Sequence, residues 1–454
     1  MGGRDSDSVN SLRRRIASWR ADNILRRVVR NSGYLFSSTS ISAVLSFAQG
    51  IFAVRLIGMD GYGLVSGVVM LFASNVNRLL SFRMSEVVVK YLGEALAEEK
   101  HERAAAIAKG IGLVEAITSV IAFLVLLALT PWAARTFAKD SSTAPLFAFY
   151  GLSLLSNLIF ETSTGVLQAT DRFDRVAVIN LVQSIITAVM IFADFLLKRG
   201  VWDILTAYLV GKTFTGIAVI YFAVRELNKR LGRDWYRVSL RQLTDWRSIV
   251  GFAINTNLNG TVNLFARDNA PLYLAAFRSV TEVGYFKLAL NLVNMVALPI
   301  EPFIWPTYAE LTRSIALHQW QETKRLLRRV SAIAGGWTLA AGGALVALGW
   351  WILPFVYGAS AGPAYFSLCI LLIGFGVANI FHWNRPLLLA FGQPGFPLMA
   401  MTVVCVAEIA LIFLLVPRFG YLAESAIVSG FFVVAIGWIV WRGLTVLHQR
   451  EISG

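Results

Sequence analysis

"NTNLNGTVNLFARDN" occupies residues 255–269 of a 454-residue chain, inside a stretch otherwise apolar enough to cross a bilayer. Asn255, Asn259, Asn263 and Arg267 recur every four residues, which on an α-helix aligns them along one slowly drifting stripe. Amides and a guanidinium facing hydrocarbon are costly, so the stripe faces other helices or a water-filled space. A helix of this kind needs a bundle around it.

The rest of the chain supplies that bundle. A mean hydropathy of +0.63 with 56% hydrophobic residues, arranged in repeated runs of about 20 residues, excludes a soluble globular class. The expectation is an all-α polytopic membrane protein with twelve spans, at 33–54, 62–82, 110–130, 144–166, 176–197, 202–224, 249–277, 284–306, 331–353, 364–391, 397–417 and 421–441. With the amino terminus inside, 29 Lys and Arg fall on the cytoplasmic side, 7 on the outer side and five within spans. That split follows the positive-inside rule, with both termini cytoplasmic. No cleavable signal peptide is expected, because the first apolar segment is long and lacks a cleavage site.

Residues 1–31 include "SLRRRIASWRADNILRRVVRN" (11–31), with Leu12, Ile16, Trp19 and Leu25 near one face and arginines largely on the other. An interfacial helix on anionic lipid fits this pattern, and so does a basic topology anchor. Nucleic acid is not an expected partner. Cys369 and Cys405 lie in apolar runs, and the four histidines show no ligand spacing. Neither a disulfide, a metal nor a cofactor is expected.

The two halves repeat each other. "DGYGLV" (60–65) matches "EVGYF" (282–286), with Gly63 on Gly284. "GVLQAT" (165–170) matches "PLLLAF" (386–391), with Ala169 on Ala390. "KRGVWD" (198–203) matches "RFGYLA" (418–423), with Gly200 on Gly420, and "AAIAKG" (105–110) matches "SAIAGG" (331–336). The expected organisation is a half at 32–225, a basic linker at 226–248, a second half at 249–446 and a tail at 447–454. Six spans per half give both the same orientation, so the repeat is parallel and its halves face each other across a cleft. The first half has its own polar ladder, Ser38, Ser42 and Ser46 in "SSTSISAVLSFAQ" (37–49). Such hydroxyls either line a cleft or serve close helix packing.

Five cations fall within spans: Arg78, Lys212, Arg267, Lys287 and Arg385. Each costs roughly 2.5–3.5 kcal/mol at a helix centre, so each needs water or a carboxylate. Arg78, Arg267 and Lys287 are on spans two, seven and eight, which the repeat makes cleft-lining elements. Lys212 and Arg385 have either a cleft-facing or a packed position. The acidic residues in or near spans are Glu115, Glu161, Asp194, Asp268, Glu301, Glu408 and Glu424. Pro299, Pro302 and Pro306 surround Glu301, and Pro386 follows Arg385, so kinks are expected there. The amphipathic segments Glu94–Lys109 and Leu311–Arg329 read as interfacial bracing helices, or as contact surfaces for pathway enzymes.

Four stretches carry a family resemblance: "LIGMDGYGLV" (56–65), "LQATDRFDRVAVINL" (167–181), "RDNAPLYLAAFRSVTEVGYFKLALNL" (267–292) and "VPRFGYLAESAIVSG" (416–430). They resemble the Wzx-type polysaccharide flippases, within the MOP superfamily that also holds the MATE transporters and the lipid II flippase. Glu424 stands where that family usually carries a small residue. The resemblance implies a V-shaped, MATE-like transporter whose spans one, two, seven and eight line a central cavity; a monomer is expected. It implies as substrate an undecaprenyl-pyrophosphate-linked oligosaccharide, moved from the inner to the outer leaflet. The asparagines would then bond sugar hydroxyls, while Arg78, Arg267 and Lys287 attract the pyrophosphate. Asp268, Glu301 or Glu408 would carry a coupling proton, or the membrane potential would drive transport. The rival readings are a drug or small-molecule antiporter of the same fold, against which a basic cleft argues, and a membrane polymerase or ligase. Every outer loop is short and none carries paired carboxylates, so an enzyme is not expected.

Overall fold

The computed structural model describes residues 23–80, 84–243, 246–264, 268–393 and 395–453. Arg267 and the basic segment 1–22 lie outside the described residues, as do the side chains of Asn255, Asn259 and Asn263. The elements are α1 (Asn23–Tyr62), a π-helical turn (Gly63–Val69), α2 (Met70–Leu80), α3 (Met84–Ala97), α4 (His101–Ala133), α5 (Ala144–Ser156), α6 (Phe160–Ala169), α7 (Phe173–Leu196) and α8 (Val201–Leu231). The second half has α9 (Trp246–Asn263), α10 (Ala270–Phe277), α11 (Val280–Ala297), α12 (Ile304–Ala316), α13 (Trp320–Tyr357), α14 (Ala364–Ile380), α15 (Asn384–Ala390) and α16 (Gly395–Ser453).

Eight helices among the described residues are long and apolar enough to cross a membrane, or nine with the bent pair 280–297 and 301–316. The difference from twelve has a physical origin. The segment Ser37–Leu80 holds the first two expected spans, joined at Gly58 with φ of 70°, and Gly395–Ile452 holds the last two, joined at Gly420 with φ of 62°. Forty-four helical residues would reach about 66 Å, twice the hydrocarbon thickness of about 30 Å, so a turn at the glycine is required. Span seven is divided into α9 and α10, with Asp268 and Asn269 in the break. The prolines after Ala297 end α11, and α12 departs at 45°.

The repeat is visible in the backbone corners. Left-handed residues close helices at Glu99, Lys139, Asp171 and Lys198, and again at His318, Gly358, Gly392 and Gly420. The pairs are 219 to 222 residues apart. Two of these corners correct an expectation. Glu94–Lys109 and Leu311–Arg329 are not separate interfacial helices: each is the end of one helix, a left-handed turn at Glu99 or His318, and the start of the next.

Three hydrophobic clusters set the shape. One is shared by both halves, holding Tyr62, Val65 and Val69 together with Val283, Phe286 and Tyr357. A second belongs to the opposite end of the first half, with Val87, Tyr91, Ile107 and Leu227, and takes in Ile249 and Ala253 of α9. A third holds Leu311, Leu327, Trp383, Leu387 and Leu447 of the second half alone. One common core lies at the end carrying the Gly58 and Gly420 turns; at the other end each half has its own core, and α9 of the second half joins that of the first. We call the joined end the hairpin end.

Candidate functional site: the cavity between the halves

Pseudo-symmetry closes the hairpin end. Gly63 and Gly284, matched by the sequence repeat, meet backbone to backbone: a Cβ on Gly63 would lie 2.7 Å from the Gly284 nitrogen. Asp60 and Thr281, also 221 residues apart, are joined by a hydrogen bond from the threonine hydroxyl to the carboxylate. Arg55 adds another strap, its Nε donating to the Val356 carbonyl at 2.7 Å and its Nη2 to that of Phe355. Lys139 donates to the Ala276 carbonyl.

Below these contacts lies a cavity of about 210 Å³ between α1 and α11. Ala43, Ser46, Phe47 and Gly50 line it from α1, at the i, i+3, i+4, i+7 spacing of one helix face. Leu288, Asn291, Met295 and Leu298 line it from α11 at an alternating three-and-four spacing, with Asn294 beside them. Tyr62 and Tyr357 form its roof. Asn291 donates to the Tyr62 hydroxyl at 2.8 Å, and Phe47 meets Tyr357 edge to face at 5.9 Å. The cavity wall is therefore aromatic and amide-rich, and none of the predicted cations belongs to it.

Of the serine ladder, Ser46 reaches the cavity. Ser38 is buried, and the Ser42 hydroxyl is enclosed without a partner among the described residues. Asn291, Asn294, Phe47, Tyr62 and Tyr357 were not expected from sequence. "NLVN" (291–294) did carry a signal, two amides three apart within an apolar span. The aromatics carried none, being indistinguishable from core.

Two predicted residues come together. Arg78 of α2 and Asp268, in the break of span seven, form an ion pair at 2.6 Å, with side chains 45% and 30% exposed. Beside it, Asn75 donates to the Asn269 side chain. Both pairs join the first half to span seven, and they make Asp268 a counter-ion rather than an isolated buried carboxylate. Lys287 of α11 is partly buried and lies within the field of Asp268.

The other candidates are dispersed. Lys212 stands mid-way along the face of α8 that carries Leu205, Leu209, Gly216 and Val219, all buried, yet has accessible surface itself. It has no ion-pair partner among the described residues and is exposed. Arg385 is exposed at the start of α15. Glu301 is exposed in the turn between α11 and α12, so the expectation of a buried coupling carboxylate does not hold there. Glu408 is buried on α16, and Glu424 of the same helix has no accessible surface; Glu408 Oε2 and both Glu424 oxygens lack partners among the described residues. Glu115 has a structural task, accepting from the Glu161 and Thr162 amides at 2.8 and 2.7 Å to cap α6.

The class of the molecule follows from the fold. The chain matches an inward-facing multidrug-resistance MATE transporter of the MOP superfamily with a TM-score of 0.73 and 15% identity, over 91% of this chain and 96% of that one. It matches the lipid II flippase MurJ in an inward closed conformation with a TM-score of 0.70 and 13% identity, over 92% and 90%. The architecture is that of a MATE-like transporter. Sequence then gives the family: residues 28–309 match the polysaccharide biosynthesis protein family, and the chain belongs to it. Inner membrane protein YghQ of Escherichia coli (strain K12) is 24% identical over 292 residues, 63% of this chain and 80% of that protein.

Proposed function

We propose that this chain is a flippase that carries undecaprenyl-pyrophosphate-linked oligosaccharides from the inner to the outer leaflet of a bacterial inner membrane, for cell-surface polysaccharide synthesis. One observation carries the reading: a cavity walled by aromatic and amide side chains between two halves that share a core at the hairpin end. That is the geometry of one state of an alternating-access carrier. Family membership supplies the polysaccharide context, and the lipid II flippase of similar fold is a protein that handles a lipid-linked saccharide. By the positive-inside count the hairpin end is the outer one, so the cavity is sealed outside and approached from the cytoplasm. The halves at 32–225 and 249–446 then act as the two rocking lobes.

In this reading the saccharide enters the cleft while the polyprenyl chain stays in lipid. Lys212, Lys287 and the asparagine stripe on α9 meet the polar head. Arg78 becomes available to the pyrophosphate when the cleft rearranges and its pair with Asp268 opens. Glu408, with Glu424 beside it in charge terms, is the coupling group best isolated from water.

The test is a deletion strain whose polyprenyl-linked oligosaccharides are extracted after treatment with a membrane-impermeant sugar-oxidising reagent. Completed repeat units protected on the cytoplasmic side, with surface polymer lost, are expected. Normal polymer with no trapped intermediate, in a strain without a second flippase, overturns the reading in favour of a small-molecule exporter. Unpolymerised units on the outer side overturn it in favour of a polymerase or ligase.

A further inference from the structure

Four groups around the cavity have unused hydrogen-bonding capacity. Asn291 spends one amide proton on Tyr62, which leaves its carbonyl oxygen open. The Asn294 amide has no partner among the described residues, and neither has the Tyr357 hydroxyl. Ser46 adds a donor and acceptor from the facing helix. These groups line a space of about 210 Å³, enough to seat one six-membered ring.

The apolar part of the wall is just as specific. Phe47 and Tyr357 stand at right angles, giving a flat ring face and a ring edge on adjoining sides. A sugar ring presents C–H bonds on its faces and hydroxyls around its rim. It therefore satisfies an aromatic wall and an amide rim together, as a purely apolar or a purely ionic ligand does not. No cation lines the space, so a carboxylate placed there would find hydrogen-bond donors but no counter-ion to offset its desolvation.

We infer that the pocket between α1 and α11 is a subsite for one uncharged sugar ring of the substrate, with Asn291 and Asn294 reading its hydroxyls and Phe47 and Tyr357 stacking against it. This inference rests on the flippase reading and deepens it: the pyrophosphate is held elsewhere, at cations outside the pocket. The subsite selects a neutral hexose or N-acetylhexosamine over a uronic acid.

The experiment measures binding to the full chain in lipid nanodiscs, using three probes: a polyprenyl pyrophosphate, the same lipid bearing one glucose, and the same lipid bearing one glucuronate. Glucose should improve the Kd about tenfold over the bare lipid, the worth of one to two hydrogen bonds, and glucuronate should not. In the Asn291→Ala/Asn294→Ala variant the glucose increment should vanish while bare-lipid affinity stays unchanged, even though loss of the Asn291–Tyr62 bond lowers Tm. A glucuronate increment equal to that of glucose, or a glucose increment surviving in the variant, overturns the subsite. Bare lipid that binds with no gain from glucose overturns the subsite alone; failure of all three lipids to bind overturns the flippase reading with it.

Discussion

Gly63 and Gly284 occupy equivalent places in the two halves and pack against each other across the line where those halves meet. A Cβ on Gly63 would fall 1.9 Å from the Val280 carbonyl oxygen, and one on Gly284 would fall 2.5 Å from that of Met59. A pseudo-twofold axis brings a residue onto its own counterpart only where the axis passes, as in an isologous dimer contact. Glycine there lets two backbones approach without side chains between them. Gly63→Ala should therefore cost about 1–3 kcal/mol by overpacking. Gly93→Ala, on α3 with no atom within 4 Å, should instead be neutral or stabilise by up to about 1 kcal/mol. Thermal unfolding in detergent compares the two, and equal effects would deny the close approach.

The Arg78–Asp268 pair makes a second prediction. It is partly exposed, so it lies between a surface pair of little worth and a buried one. Asp268→Asn should destabilise by about 1–2 kcal/mol, since it leaves a guanidinium in the membrane without its counter-ion. The exchange Arg78→Asp/Asp268→Arg should recover most of that loss. Recovery of stability without recovery of transport would separate the structural role of Arg78 from its proposed contact with pyrophosphate.

The fold class was legible because hydrophobic runs of span length and the Lys/Arg split survive any local irregularity. The repeat was legible at Gly63 and Gly284 because close backbone approach allows one residue type. The left-handed corners were not, since the first half uses Glu99, Lys139, Asp171 and Lys198 where the second half uses His318 and three glycines. At the site, the cations drew attention because each is costly in oil, and cost singled out Lys212 and the Arg78–Asp268 pair. A pocket built from asparagines and aromatics is inexpensive to embed, so Phe47 and Tyr357 left no trace in the pattern and the amides of 291–294 only a faint one.

Those mismatched corners can be tested. Lys198 and Glu99 hold φ of 52° and 58°, a region that costs an L-residue roughly 1–2 kcal/mol and glycine nothing. Glycine returns about 0.5–1 kcal/mol of that through the entropy of the unfolded chain. Lys198→Gly and Glu99→Gly should each raise stability by about 0.5–1 kcal/mol. At the counterpart corner, Gly420→Ala should do the reverse, because its Cβ would also lie 2.0 Å from Glu282 Oε2. Equal responses at Lys198 and Gly420 would deny that the positive φ sets the residue preference at these corners.

Glu226 predicts a pH dependence at the end opposite the hairpins. The end of α8 carries it between Arg172, at 3.3 Å, and Arg230, at 3.0 Å, and Arg230 also donates to the Thr170 carbonyl at 3.1 Å. Burial pushes the Glu226 carboxyl up, but the hydrogen bond from Arg230 and the charges of Arg172, Arg230 and Lys229 outweigh it and hold the group below its ordinary 4.5. A carboxyl depressed by folding stabilises the protein above its unfolded value, and that stability is lost as pH falls through the folded value. Glu226→Gln should accordingly lower Tm at neutral pH, and the gap to the wild type should close as pH falls below about 4.5. Arg172→Ala should narrow the same gap from the other side of the bridge. A Tm difference that stays constant from neutral pH down to about 3.5, well below the ordinary carboxylate value, would mean that Glu226 acts through packing and not through its charge.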